Sequence, residues 1–238
     1  MTPYMALYLK ELKANRLVSG LMLVATAAIV IVVVSDARDG ALHATLPLLV
    51  LPYLSPPVLA GLLMHSISQE WSGNTQQQWL ALPVPHSTLP LMKLAAVGTL
   101  ALGVFVLNTL GLQLILEPTL AVLGQSVRSP GLEPIRIEAA HMWSTTGGLF
   151  GSMTALMLGL GLAASSFRIL VPRFKGLVTA SVFLGGFWLT GRLAGTVGQA
   201  LRSGAVVAEA HQSFLYLAGM GVLFAGLGAY LFDRHVDA

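Results

Sequence analysis

The sequence predicts an all-α integral membrane protein with six transmembrane helices, and three observations predict it. Of 238 residues, 55% are hydrophobic and only 10% are charged, whereas a soluble domain carries about 25% charged residues. The mean hydropathy is +0.77. The few charges bracket long stretches that contain no Asp, Glu, Lys or Arg. So little charge cannot clothe a water-exposed surface, and lipid is the solvent that suits this composition.

A spanning helix needs about 20 mainly apolar residues. Residues 17–35 meet that between Arg16 and Asp36. Residues 46–68 follow, with Pro47, Pro52, Pro56 and Pro57 predicting a kinked or late-starting helix. Residues 90–116 run on from the Lys93 region to the boundary at Glu117, and residues 141–167 lie before Arg168. Residues 176–193 are short, but Arg192 can snorkel to the interface and extend them. Residues 211–232 supply the last crossing. Residues 71–92 are also free of charge, yet Ser72, Asn74, Thr75 and three consecutive glutamines make them a poor crossing. Six helices are therefore expected rather than seven, within a single domain spanning 1–238.

Lys and Arg in short loops set the orientation. With the N-terminus in the cytoplasm, the inner side holds Lys10, Lys13, Arg16, Lys93, Arg168, Arg173, Lys175 and Arg234. The outer side holds Arg38, Arg128, Arg136, Arg192 and Arg202. Both termini are expected inside, and residues 69–89 form a cytoplasmic loop. The outer loops fall at 36–45, 117–138 and about 194–209. The N-terminal 1–16 segment contains acid and no small-residue cleavage site follows Val34, so the first apolar run reads as retained. Within it Tyr4, Met5, Tyr8, Leu9 and Leu12 recur at helical spacing, with Lys10, Glu11 and Lys13 on other faces. That pattern suits a helix lying in the inner interface, a positively charged topology anchor, or both.

Several function classes fall away. A pI near 9.5 invites a nucleic-acid reading, but the net charge is only +3 and there is no basic run. The absence of cysteine excludes disulfides, thiolate metal sites and cysteine nucleophiles. No carboxylate pair sits centrally in any crossing, and no mid-helix ionisable group offers ion coupling. His65, His141 and His211 could sit in helices, and a haem-carrying membrane subunit would need two of them at one depth, His141 and His211 being the candidate pair. No HExxH motif supports a metal. The four lysines, Lys10, Lys13, Lys93 and Lys175, never follow a glycine-rich turn, so the chain has no P-loop.

Small residues recur inside the helices. Gly147 and Gly151, like Gly191 and Gly195, have the four-residue spacing that lets helix backbones approach. Gly159, Gly161, Gly219, Gly221, Gly226 and Gly228 extend the pattern. Packing within the chain and a moving or dimeric interface both fit.

The most distinctive stretch is 69–93, QEWSGNTQQQWLALPVPHSTLPLMK. Polar amides, Trp71, Trp79 and a Leu82-Pro83-Val84-Pro85 break stand where the chain turns around. It resembles the first cytoplasmic loop of ABC-2 type transporter permease subunits. Such a loop runs from an acidic residue through a Gly-Thr-like turn and a short amphipathic helix into Leu-Pro-Val, with a lysine as the next helix begins. The matching residues are Glu70, then Gly73, Asn74 and Thr75, then 76–82, then Leu82, Pro83 and Val84, then Lys93. Asn74 splits the Gly-Thr pair, and Pro85-His86 stands where a basic residue is common. As topology the resemblance covers the whole chain, and as sequence it rests on this loop. The arrangement is similar to permeases of lantibiotic and other antimicrobial-peptide exporters.

The resemblance implies an ABC-2 type exporter fold and a bacterial cytoplasmic-membrane protein without catalysis of its own. Two permease subunits would pair, as a homodimer or a heterodimer, above two ATPase subunits that bind ATP and Mg. No cofactor would reside in this chain. Glu70, Trp71, Gln76, Gln77, Gln78, Trp79, Leu80, Leu82 and Pro83 would form the coupling helix and its flanks, with tryptophans as apolar anchors. Residues 194–209 would form an outer cap. The substrate would be amphipathic or lipid-like. Without the resemblance, the same tryptophans fit an interfacial belt, or a membrane scaffold or sensor that docks a cytoplasmic partner.

Overall fold

The computed structural model describes residues 3–38, 46–72, 85–126, 139–201 and 206–236. All regular structure among them is helical. Seven helices follow in order: α1 Pro3–Ala14, α2 Arg16–Arg38, α3 Leu46–Ser72, α4 Thr88–Ser126, α5 Ala139–Leu170, α6 Lys175–Leu201 and α7 Val206–Val236. A short 3-10 turn, Pro172–Phe174, joins α5 to α6. Five helices contain stretches long and apolar enough to cross a bilayer: Arg16–Asp36, Val50–Glu70, Thr88–Ile115, Ser144–Leu170 and Ser213–Arg234. This is compatible with an all-α membrane protein. The segment expected to cross at 176–193 is helical within α6 but is not among the five. The five are confined to the described residues, and the side chains of 193–201 lie outside them.

Local chemistry explains the boundaries. Pro3 opens α1, where its fixed φ suits a first helical turn and no donor is lost. Only Asn15 separates α1 from α2. Its backbone N–H and its side-chain amide both donate to the Glu11 carbonyl at 3.1 Å, closing the end of α1. α3 runs unbroken through Pro52, Pro56 and Pro57. Neighbouring helices and side chains tolerate such prolines in a spanning helix, and Ser55 donates back to the Leu51 carbonyl at 2.6 Å.

Two loop expectations need correction. α4 has 39 residues, about 58 Å at 1.5 Å per residue, and continues through 117–126 rather than yielding to a loop at Glu117. A lone glutamate does not end a helix, and this one also runs on through Pro118, which a spanning helix tolerates. α6 likewise reaches Leu201, so the first part of the expected 194–209 cap is helix.

Helix directions follow from paired contacts. Leu23 lies against Gly103 and Val30 against Gly111, so α2 runs parallel to α4. Ser66 meets Lys93 while Leu48 meets Gly111, so α3 runs antiparallel to α4. The main core joins four helices: Leu59, Leu63 and Ile67 of α3, Val97, Leu100 and Val104 of α4, Phe150, Leu158 and Leu162 of α5, and Phe232 of α7. α6 lies at the edge. Val182 and Phe183 reach Leu156 and Leu160 of α5 and Met220 of α7, and the Tyr216 hydroxyl donates to the Thr190 carbonyl at 2.8 Å. Trp188 is 64% exposed, with the Arg192 guanidinium 5.6 Å from its ring centre.

The tightest packing is a seam between α5 and α7, which run parallel. Gly148 meets Phe214, Ala155 meets Gly221, and Leu162 with Ala163 meets Gly228. The contacts recur every seven residues on both helices. At Gly221 an added Cβ would strike the Ala155 backbone, and at Gly159 it would strike the Gly221 carbonyl. Ser166 crosses the seam, donating to the Gly228 carbonyl at 2.8 Å. The four-residue glycine pairs read from the sequence are placed otherwise. Gly147 abuts the Phe105 ring, whereas nothing lies near a Cβ at Gly151 or Gly191. The surroundings of Gly195 lie outside the described residues.

Candidate functional site

At one end of the bundle a lysine is buried with two carboxylates. Lys93, one turn into α4, is 4% exposed, and Glu11, near the end of α1, is 3% exposed. Lys93 Nζ lies 2.7 Å from Glu11 Oε2, 3.1 Å from Glu70 Oε1 and 3.1 Å from Ser66 Oγ. An ammonium has three N–H donors, and each finds an oxygen. Glu70 and Ser66 lie one turn apart on the last part of α3. The cluster therefore ties α1, the end of α3 and the start of α4 into one junction.

The charges hold one another in place. Glu11 and Glu70 repel, and Lys93 between them offsets that repulsion. The positive charge of Lys10 also reaches Glu70, so two cations stand against two carboxylates. A buried ion is costly unless it is paired and hydrogen-bonded, and here the geometry satisfies that condition. Around it, Leu7 packs with Leu89 and Met92. Higher up, the Tyr8 and Thr99 hydroxyls are 2.7 Å apart.

The N-terminal helix thus packs by a different face than its apolar spacing predicts. Leu7 and Glu11 are buried against α4, while Tyr4 and Met5 are exposed. Glu11 is not a solvated residue on an outer face. Its partner, Lys93, lies 82 residues away, so no local pattern could reveal the pairing.

Both ends of the 73–87 connection converge here. Glu70 precedes it by one turn, and Lys93 follows it by about one turn of α4. The far side is held by α7: the Ser87 backbone N–H donates to Asp233 Oδ1 at 3.2 Å. An acid at a helix N-terminus is electrostatically favourable. Of the residues expected to couple to a partner, Glu70 is in the cluster, and Trp71 lies on α3 with its side chain outside the described residues. Gln76, Gln77, Gln78, Trp79, Leu80, Leu82 and Pro83 lie outside the described residues, as do the side chains of His141 and His211. Further along α4, Asn108 and Thr109 are fully buried. Their side-chain polar atoms have no hydrogen-bond partner among the described residues.

Compared with protein-family models, with curated proteins and with solved structures, the chain matches none.

Proposed function

We propose that this chain is the membrane-spanning permease subunit of an ATP-driven exporter of the ABC-2 type. In this reading α6 supplies a sixth crossing, both termini lie in the cytoplasm, and the protein resides in a bacterial cytoplasmic membrane. The 69–89 segment docks an ATPase subunit that holds ATP and Mg. A second permease subunit completes the translocation unit. The cargo is amphipathic or lipid-like, such as an antimicrobial peptide.

One observation carries the reading: Lys93 binds Glu11 and Glu70 together, joining both ends of the loop to the N-terminal helix. A push on the loop then moves α1, α3 and α4 as a unit instead of flexing a slack connection. ATP-driven closure of the partner would shift the population between two membrane arrangements through that junction.

The test is co-purification of the chain with its candidate ATPase, comparing wild type with Trp79→Ala and Leu80→Asp. Loss of the ATPase in both variants, with the chain still folded, is the expected result. If both retain the ATPase and its transport-coupled hydrolysis, the docking assignment is lost.

A further inference from the structure

We propose that the turn between α5 and α6 binds the phosphate headgroup of an anionic phospholipid in the leaflet it faces. The apolar stretch of α5 ends at Leu170, and three cations cluster around that point: Arg168, Arg173 and Lys175. Arg173 and Lys175 are exposed, while Arg168 is half-buried. The Arg168 Nε is buried and has no hydrogen-bond partner among the described residues. Beside the cations, Leu170, Val171, Phe174 and Leu177 are exposed. A site with cations at the membrane boundary and apolar side chains next to them matches a lipid, with its phosphate above and its acyl chains below. Arginine favours phosphate because its planar fork presents paired donors.

Among the described residues, no carboxylate pairs with the cations of the turn. The sequence contains no Asp or Glu between Glu138 and Glu209. On α7, Asp233 accepts from the Ser87 N–H, and Arg234 donates to the Tyr230 hydroxyl. Glu11 and Glu70 are bound to Lys93. Asp237 lies outside the described residues. General charge bias would orient the chain without a half-buried arginine. The half-buried side chain of Arg168, near two exposed cations in the sequence, is what a bound phosphate adds to that bias.

The experiment needs only this chain, and its outcome is independent of the transport reading. Full-length protein in neutral detergent is titrated with phosphatidylglycerol, phosphatidylcholine or inorganic phosphate. Melting is followed by tryptophan fluorescence, and retained lipid is counted by native mass spectrometry. Phosphatidylglycerol is expected to raise the melting midpoint and to be retained, whereas the other two are not. Arg173→Gln with Lys175→Gln alters only exposed side chains and should leave folding intact. It should weaken retention about 25-fold, taking about fivefold for each cation. Arg168→Gln should weaken it about tenfold, and Arg192→Gln, at the other end of α6, should leave it unchanged. Undiminished phosphatidylglycerol retention by the double variant overturns the proposal. So does equal retention of phosphatidylcholine, or equal stabilisation by inorganic phosphate.

Discussion

Two regions hold helices together by opposite means. At the Lys93 junction, α1, α3 and α4 meet through charge, and three side chains converge on one ammonium. Along the α5–α7 seam the helices meet through the lack of side chains, with Gly159, Gly221 and Gly228 letting backbones touch. The seam depends on shape and has no alternative partner to offer. The junction depends on pairing, and a pair can be exchanged for another pair or for water. The seam therefore yields to no added volume, whereas the junction can be rebuilt by replacing its charges together.

Substitutions can break that contrast, and the largest effect is expected at the seam. Gly221→Leu places a side chain inside the Ala155 backbone. The rigid neighbour cannot yield, so the cost should reach at least about 3 kcal/mol. Loss of the monodisperse peak in detergent size-exclusion would show it. A normal peak and melting midpoint would mean that the seam is loose.

The junction should come next, and it should be repairable. Lys93→Ala removes the ammonium that Glu11 and Glu70 share and strands the buried Glu11 carboxylate, at a cost of about 3–5 kcal/mol. Replacing the whole cluster, with Lys93→Met, Glu11→Gln and Glu70→Gln together, removes the stranded charges and should recover most of that stability. Thermal unfolding of the single and triple variants separates the outcomes. A triple variant no better than the single would mean that Lys93 stabilises through packing. The smallest effect belongs to Gly151→Ala. Nothing lies near a Cβ there, and alanine favours helix, so the melting midpoint should change by less than about 0.5 kcal/mol in equivalent stability. A large loss would reveal a partner helix seated on that face.

The spans were legible because charge-free windows register lipid directly. Among the described residues, five of the six expected segments lie in helices long and apolar enough to cross. The ends of α4 and α6 were not legible, since a charge or a glycine bounds an apolar window without ending a helix. At the site, Glu70 and Lys93 stood out through the motif around the loop. Glu11 did not, because spacing places it among polar neighbours and only the distant Lys93 explains its burial. The glycine seam escaped for another reason. Pairs four residues apart draw the eye, whereas the contacts here recur at seven and alternate between two helices.

That repeat also sets which changes of length the protein can absorb. Positions 214, 221 and 228 face 148, 155 and 162 in strict step, which is the left-handed supercoil period. One residue inserted between Gly221 and Gly228 turns the second contact about 100° off the seam and brings a side chain to where only a glycine fits. A seven-residue insertion restores the face. Along α5 and α7, tolerated length variation should therefore come in whole heptads, and the two helices should change length together.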